Sequence, residues 1–352
     1  MARAPRGVRV ALLAAVLFGV STPLAKALLG DLAPQVLAGL LYLGSGMGLG
    51  PFWLARRRRG GAAVEAWIVQ RDLPWLAGAI AFGGVLAPVL LMAGLSRTPA
   101  STASLLLNLE AVFTAFRAWV AFRENVDRRI LLGMAAIVAG GVLLSWPGKV
   151  AVSNILGPLL IGAACLGWAI DNNLTQRVSA GDPVQIAGAK GLIAGIVNLA
   201  LGLVLGGTVV VGPRIAAALA VGLVGYGVSL ALYVLAMRDL GTARTGAYFG
   251  LAPFVGAAVS LLLFREAVTG RLLAAAAAMA LGLWLHLSER HEHEHVHKPM
   301  RHTHRHLHDE HHQHEHGPGD PPDEPHTHEH PHAHLVHRHP HYPDIHHRHS
   351  HT

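Results

Sequence analysis

The chain of 352 residues contains one cysteine, Cys165, and no histidine before His286. A single cysteine excludes an intrachain disulfide, and its place in an apolar run indicates a small packing residue. Charged residues make up only 14% of the chain and aromatic residues 6%, whereas 52% of the residues are hydrophobic. The sequence has no nucleophile with a neighbouring base, no phosphate-binding glycine loop and no HExxH arrangement, so it predicts neither an enzyme nor a required cofactor.

Charge and histidine divide the chain into two parts. Residues 1–290 carry 23 Lys and Arg against 11 Asp and Glu, whereas residues 291–352 carry 5 against 10. The second part also holds 24 of the 25 histidines. Basic loops between apolar stretches are typical of membrane proteins, so we expect a lipid bilayer as partner and no nucleic acid.

Apolar stretches long enough to cross a bilayer recur along the first part of the chain. A spanning helix needs about 20 mostly apolar residues. The stretches that meet this length lie near 9–29, 35–55, 74–95, 100–122, 129–146, 154–174, 184–206, 215–236, 242–264 and 270–288. The sequence therefore predicts an all-α membrane protein with ten transmembrane helices.

The distribution of arginine and lysine predicts the orientation of these helices. With both termini in the cytoplasm, the loops assigned to the inside carry 14 basic residues and those assigned to the outside carry 5. This excess follows the positive-inside rule. The start of the chain, as far as Ala27, also resembles a signal peptide, but the repeat described next favours a retained first helix. We expect a multi-pass protein of a bacterial-type inner membrane.

An internal repeat appears when the chain is aligned with a shifted copy of itself. At a shift of 142 residues, Phe122, Arg123 and Glu124 align with Phe264, Arg265 and Glu266. The repeat predicts one five-helix unit at 8–147 and a second at 153–288. Because five is an odd number, the second unit enters the membrane from the opposite side. Inverted repeats of this kind are a common frame for alternating access, with the substrate site between the two units.

The sequence resembles the EamA-type branch of the drug/metabolite transporter superfamily. The resemblance rests on the two five-helix units, on "LFGVSTPLAK" in the first helix and on the "FRE" that closes the fourth and ninth helices. It implies a ten-helix secondary transporter, often an exporter of small metabolites. The fourth helix departs from the pattern, because Glu110 and Ala111 stand where the ninth helix has Ala252 and Pro253.

Glu110 is the strongest candidate for a substrate or coupling residue. It lies about 10 residues from either end of the predicted fourth helix, and a charge at such depth costs about 2.5–3.5 kcal/mol on insertion scales. Thr114 and Arg117 follow at helical spacing and share its face, whereas Asn108 points away from it. The alternative reading of Glu110 is a hydrogen-bonded structural residue.

Other candidate substrate or coupling residues lie nearer the ends of their helices. Arg117, Lys190 and Lys26 can each reach the headgroups by snorkelling, which competes with a role in transport. Asp171, followed by two asparagines, fits either a solvated helix end or a functional site. We hypothesise that Arg117, Asp171 and Lys190 form a cytoplasmic ion-pair gate. Pro23 and Pro88 each remove a backbone donor and predict kinks or sites of substrate contact.

The segment 289–352 is polar, interrupted by proline and rich in histidine. It has too few large apolar residues to form a core, so we expect it to be disordered and cytosolic. In an extended chain, residues i and i+2 project to the same side, so alternating imidazoles can converge on Zn²⁺, Ni²⁺, Co²⁺ or Cu²⁺. The predicted ligands are His291, His293, His295, His297, His302, His304, His306, His308, His311, His312, His314 and His316.

These observations leave three functions open. The first is an exporter whose cargo is a divalent transition metal collected by the tail. The second is a metabolite or drug exporter of the same fold whose tail senses metal. The third is a membrane-anchored metal-storage protein that transports nothing. Metal as cargo is weakened by the absence of histidine from residues 1–285. Both a monomer and a homodimer fit the sequence.

Overall fold

The structure is a computed structural model of the whole chain. It describes residues 6–30, 32–58, 68–122, 128–146, 155–179, 181–208 and 212–288, and four segments of the tail at 292–297, 300–306, 326–332 and 335–340. The boundaries of the predicted repeat units at 147 and 153, and part of the first "FRE", lie outside these residues.

The described part of residues 6–288 consists of α-helices and two π-helical segments. The helices of the first half are α1 (Arg6–Leu28), α2 (Pro34–Arg58), α3 (Leu73–Ala79), α4 (Ala87–Leu95), α5 (Ala100–Leu106), α6 (Leu109–Phe122) and α7 (Arg128–Ser145). The helices of the second half are α8 (Leu156–Val178), α9 (Pro183–Val204), α10 (Pro213–Val221), α11 (Ser229–Phe249), α12 (Ala252–Phe264) and α13 (Gly270–Leu287). A short 3₁₀ turn (Gln70–Asp72) precedes α3.

Each of the ten predicted apolar ranges falls on helical residues. Among the described residues, seven helical segments are long and apolar enough to cross a membrane: Arg6–Leu28, Pro34–Arg58, Gln70–Leu95, Pro183–Val204, Pro213–Leu240, Arg244–Phe264 and Gly270–Leu287. Leu131–Ser145 is a shorter apolar helix. The protein is therefore a multi-pass helical membrane protein, and the count of ten spans stays a prediction.

The predicted fourth and ninth helices differ from the observed ones. The fourth is interrupted at Leu107 and Asn108, which separate α5 from α6. The amide of Asn108 donates to the carbonyl of Leu105 at 3.0 Å, and such local bonds compete with the helical ladder. In the second half of the chain, α11 continues through the loop predicted before the ninth helix at residue 242. The ninth helix is then interrupted at Gly250 and Leu251, shortly before Pro253, which has no backbone donor.

The two π-helical segments occupy equivalent positions in the two halves. They span Ile80–Leu86 and Gly222–Val228, and the shift that aligns Phe122 with Phe264 also aligns their first residues. Pro88, which follows the first segment, cannot donate to the carbonyl of Gly84. Asn198 donates to that carbonyl instead, at 2.8 Å. The predicted kink at Pro88 is thus a local change of helix type that a neighbouring helix satisfies.

Glycine allows the central helices α2 and α9 to pack with their backbones in contact. A Cβ atom at Gly195 of α9 would lie 2.5 Å from the backbone nitrogen of Leu43 in α2. A Cβ atom at Gly39 of α2 would lie 2.5 Å from the backbone nitrogen of Leu199. Close approach through small residues is typical of helix packing in membranes.

The outer surface of the helical body is apolar. Val204 is 84% exposed, Leu262 81% and Trp284 61%. Large apolar side chains exposed in this way would be unfavourable in water, whereas lipid tails solvate them. The distribution of exposed residues therefore agrees with a helical body embedded in a bilayer.

The described segments of the tail are extended, and the disorder of 289–352 as a whole stays a prediction. Four tail segments are strands, β1 (Glu292–His297), β2 (Met300–His306), β3 (His326–His332) and β4 (Leu335–Pro340). β1 pairs with β4 and β2 with β3, both antiparallel. The period-two alternation of histidine with other residues suits an extended backbone, and the ladder uses backbone groups that need no apolar core.

Candidate substrate cavity and buried ion pair

A cavity lies where the two interrupted helices meet. It has an empty volume of about 360 Å³, which includes open solvent at its mouth. Its lining comes from α1, from the first helix break and the helix α6 that follows it, from both sides of the second break and from α8: Phe18, Leu107, Asn108, Glu110, Ala111, Thr114, Asn172, Gly246, Phe249, Gly250, Ala252 and Pro253. Helix breaks that face a cavity are the usual setting of substrate sites in transporters built from repeats.

Glu110 and Thr114 line the same cavity, as their helical spacing predicts. The carboxylate Oε1 of Glu110 accepts a hydrogen bond from the amide of Asn172 at 2.7 Å. The hydroxyl of Thr114 is buried without a hydrogen-bond partner among the described residues. Glu110 therefore has a partner for one oxygen, while the neighbouring Thr114 retains an unused hydrogen-bonding group inside the cavity.

Asn108 is also among the lining residues. Its amide nitrogen contacts the sulfur of Met279 at 3.8 Å and makes no hydrogen bond to Glu110, which agrees with the sequence prediction that it points away from Glu110. Asn108 is only 1% exposed, and its amide nitrogen donates to Leu105 rather than to Glu110. Its oxygen Oδ1 has no hydrogen-bond partner among the residues that the structure describes.

Aromatic residues form one wall of the cavity. The rings of Phe18 and Phe249 lie 5.3 Å apart between centroids. Phe18 also contacts Trp168 edge-on at 5.8 Å, and Phe249 contacts Tyr233 at 4.8 Å. Because each ring packs against another aromatic side chain, this wall is held in place by contacts outside the cavity.

Asp171 and Lys190 form an ion pair inside the protein and are not themselves part of the cavity lining. Lys190 Nζ lies 2.5 Å and 2.7 Å from the two carboxylate oxygens of Asp171, and the side chains of Lys190 and Asp171 are 1% and 7% exposed. Thr175 donates to Asp171 at 2.8 Å. Snorkelling of Lys190 and a solvated helix end at Asp171 are therefore both wrong, because α8 continues to Val178 and neighbouring helices cover both groups.

The first π-helical segment contacts this ion pair. A Cβ atom at Gly83 would lie 2.5 Å from Cβ of Asp171 and closer still to its carboxylate. The carbonyl of Gly83 accepts hydrogen bonds from Tyr42 at 2.8 Å and from Trp168 at 3.1 Å. Trp168 in turn contacts Phe18 of the cavity wall. A short chain of packed groups thus joins the ion pair to the cavity.

The structure does not bring Arg117 or Lys26 to these groups. Arg117 is half-buried and has no hydrogen bond or ion pair with another described residue, so the structure pairs Lys190 alone with Asp171. Lys26 donates to the carbonyls of Leu95 and, at 3.0 Å, Thr98. It therefore joins α1 to the end of α4 rather than reaching outward.

The predicted metal ligands of the tail lie partly outside the described residues. His291, His308, His311, His312, His314 and His316 are among the undescribed positions. His293, His295, His297, His302, His304 and His306 lie on strands β1 and β2. Strand pairing places histidines opposite each other at His293 and His339, His295 and His337, His302 and His330, His304 and His328, and His306 and His326.

Sequence reasoning misses Phe18, Phe249 and the role of Asn172. The asparagine stands beside Asp171 in "DNN", a pattern that favours a helix end. Adjacent helical residues point about 100° apart, so Asp171 and Asn172 face different partners. This angle is the signal in the sequence that the two side chains have different roles, but the identity of their partners depends on how the helices pack.

Comparisons with known proteins identify the family. The EamA-like transporter family matches residues 5–146 and again residues 155–288. An uncharacterized transporter of Methanothermobacter thermautotrophicus is 31% identical over 272 residues, which cover 72% of this chain and 78% of that protein. A protein of known crystal structure shares the fold with a TM-score of 0.59 and 20% identity, over 79% of this chain and 95% of that one. The chain therefore belongs to the EamA-like transporter family.

Proposed function

We propose that the protein is an inner-membrane secondary transporter that moves a small molecule by alternating access through the cavity at Glu110. The single observation that carries this proposal is the meeting of both helix breaks at one cavity that contains a membrane-embedded carboxylate. Irregular backbone within a membrane is tolerated where it lines a cavity, and an ionisable residue there indicates a functional site.

The repetition of the two halves supports alternating access. The π-helical segments begin at Ile80 and Gly222, which the shift of the sequence repeat superimposes, and each half has an interrupted helix at the cavity. Two units of five helices inserted in opposite directions can exchange conformations, which opens the cavity first to one side and then to the other. Both termini then lie in the cytoplasm, as the basic loops predict.

Glu110 is the proposed coupling residue. Its carboxylate is held by Asn172 at 2.7 Å and lies beside the open volume of the cavity. A carboxylate in this place can bind a coupling cation or a cationic part of the cargo, and can exchange one for the other. Substitution by glutamine keeps the shape and the bond to Asn172 but removes the negative charge.

The test compares wild type, Glu110→Gln and Asp72→Asn in one bacterial host. Asp72 is a half-buried carboxylate before α3 that does not line the cavity, and it serves as the matched control for loss of a negative charge. Untargeted mass spectrometry of the growth medium should find at least one small molecule whose external level changes with wild type and Asp72→Asn but not with Glu110→Gln. Equal profiles for all three proteins, at equal membrane levels, would contradict the proposal.

The tail supports a second role as a metal sensor. Strand pairing places histidines opposite each other at five positions, and opposite residues in antiparallel strands have Cβ atoms about 4.5–5.5 Å apart. Histidine suits Zn²⁺, Ni²⁺, Co²⁺ and Cu²⁺. We propose that the tail binds such an ion in the cytosol and alters transport of a different cargo.

Transport of a metal ion through the cavity is less well supported than regulation of transport by a metal ion bound to the tail. Among the described residues, no group of three or more His, Cys, Asp or Glu side chains is placed to hold a metal ion. The cavity is lined by one carboxylate and by aromatic residues. Transition-metal sites usually combine several imidazole, thiolate or carboxylate ligands, so the cavity fits an organic cargo better.

Two variants distinguish a metal-storage protein from the two kinds of transporter. Metal tolerance of the host is measured with wild type, with Glu110→Gln and with a chain truncated after Ser288. A storage protein loses tolerance only on truncation. A metal-regulated transporter loses its metal response on truncation and its transport in Glu110→Gln.

A further inference from the structure

The hydrogen-bonding groups of the cavity are mainly acceptors. Glu110 keeps one carboxylate oxygen beyond the one bonded to Asn172. Asn108 Oδ1 and Thr114 Oγ1 are buried, and neither has a hydrogen-bond partner among the described residues. Pro253 lacks a backbone donor, so it cannot bond the carbonyl of Phe249. Buried acceptors without donors are unfavourable unless a ligand supplies the donors.

The described lining offers no basic side chain to neutralise Glu110. Lys190, a buried lysine of the same bundle, is occupied by Asp171 at 2.5 Å and by Thr175 at 3.2 Å. Lys26 is occupied by the carbonyls of Leu95 and Thr98. A positive charge that balances Glu110 therefore has to come from outside these residues.

The polar side chains of the cavity are confined to the first helix break, to α6 and to α8, and the described lining at the second break has none. Glu110, Thr114 and Asn108 lie at or after the first helix break, whereas Ala252 and Pro253 follow the second and Phe249 precedes it. Ala252 stands at the position of the second half that corresponds to Glu110. The cavity thus has one acidic side and one apolar side, which suits an amphipathic ligand.

The aromatic wall favours the same kind of ligand. Phe18 and Phe249 lie 5.3 Å apart and both line the cavity. Ring faces attract cations electrostatically and also pack against hydrocarbon. An ammonium group beside Glu110 and an apolar body against these rings would use both properties.

We propose that the cargo is a small organic cation with a primary or secondary ammonium group and an apolar body. The proposal rests on the transporter function proposed above. The ammonium group donates to the free carboxylate oxygen of Glu110 and to Thr114 Oγ1. The apolar body lies against Phe18 and Phe249. Organic anions are excluded because Glu110 repels them in a site whose described lining has no basic residue.

Three probes of one shape test the charge requirement. They are phenethylammonium, the neutral 2-phenylethanol and the anion 3-phenylpropanoate. Binding to the purified full-length protein is measured by isothermal titration, and uptake is measured in proteoliposomes. We expect saturable binding of phenethylammonium alone. Thr114→Val should weaken it about tenfold, the loss of one hydrogen bond to a charged group, and Glu110→Gln about 100-fold or more.

A control variant and the contrary outcomes complete the design. Asp72→Asn removes a half-buried carboxylate that does not line the cavity, and it should bind phenethylammonium as wild type does. Equal binding of the alcohol or the anion, unchanged binding in Glu110→Gln, or no binding of phenethylammonium would each overturn the proposal. If binding depends on Glu110 but proteoliposomes show no uptake, the cation site stands and the transporter function fails. If the anion is taken up and its uptake depends on Glu110, the transporter function stands and the cation site fails.

Discussion

The depth of a residue within an apolar stretch indicates which single residues are functional candidates, but it does not identify their partners. The position of Glu110 far from either end of an apolar stretch is enough to select it, because a buried charge requires a reason. Its partner Asn172 cannot be selected in this way, since the contact joins residues 62 positions apart through helix packing. The distance of Asp171 and Lys190 from the ends of their apolar stretches predicts that both lie at the membrane edge. In the structure, however, both side chains are buried.

Removal of Lys190 should cost more stability than its own contacts suggest. Lys190→Met leaves Asp171 buried without its cation, and breaking such a pair typically costs about 3–5 kcal/mol. The double variant Lys190→Met with Asp171→Leu removes both charges and should recover much of that loss. Unfolding of the protein in detergent, followed by circular dichroism, measures the three free energies of unfolding.

Arg117→Met is the matched control for this experiment. Arg117 is a half-buried cation with no hydrogen bond or ion pair to another described residue. Its loss should change the unfolding free energy by less than about 1 kcal/mol, as for exposed charges. A double variant less stable than Lys190→Met, or an Arg117 effect equal to that of Lys190, would show that the pair does not act as described.

Helical elements are predictable from apolar length, but their interruptions are not. Pro88 and Pro253 mark the neighbourhood of one π-helical segment and one break, because proline removes a backbone donor. The break at Leu107 and Asn108 has neither glycine nor proline, and it depends on the bond from Asn108 to Leu105 and on neighbouring helices. The π-helical segment Gly222–Val228 likewise has no internal proline.

Gly83 should be far less tolerant of substitution than Gly50. A Cβ atom at Gly83 would lie 2.5 Å from Asp171 Cβ, whereas none of the described residues has an atom within 4 Å of a Cβ atom at Gly50. Gly83→Ala therefore forces the π-helical segment away from the Asp171–Lys190 pair. We expect a loss of about 1–3 kcal/mol, typical of overpacking.

Gly50→Ala serves as the comparison, because glycine and alanine differ in helix propensity by about 1 kcal/mol in favour of alanine. It should leave the unfolding free energy unchanged or slightly raised. Thermal unfolding of both variants in the same detergent provides the measurement. Equal melting temperatures for the two variants would mean that the contact between Gly83 and Asp171 is looser than the structure indicates.

The whole molecule is a repeated structure whose chemistry is not repeated. Helices α1 and α8 both have 23 residues, and Phe18 and Trp168 stand at the same position when residues are counted from the start of each helix. On the same count, however, Ser21 and Thr22 of α1 correspond to Asp171 and Asn172 of α8. The shared shape is predictable from the sequence repeat, whereas the polar groups that differ between the halves mark the cavity and the ion pair.

The tail should bind transition metals through histidines on paired strands. Titration of the full-length protein with Zn²⁺ or Ni²⁺ should show saturable binding that is lost after truncation at Ser288. Replacement of His302, His304, His328 and His330 by alanine removes two opposite pairs of one strand ladder. It should lower the number of bound ions more than replacement of His346, His347, His349 and His351, which lie outside the described strands, and equal losses would contradict the paired arrangement.

The accessibility of the cavity from both sides of the membrane tests alternating access most directly. Cys165 is the only cysteine and is fully buried, so Cys165→Ser with Ala111→Cys places one thiol in the lining of the cavity. A membrane-impermeant thiol reagent, applied to right-side-out and to inside-out vesicles, should label this thiol in both, and wild-type Cys165 should remain unlabelled. Labelling from one side only, under all conditions, would contradict a cavity that opens alternately to the two sides.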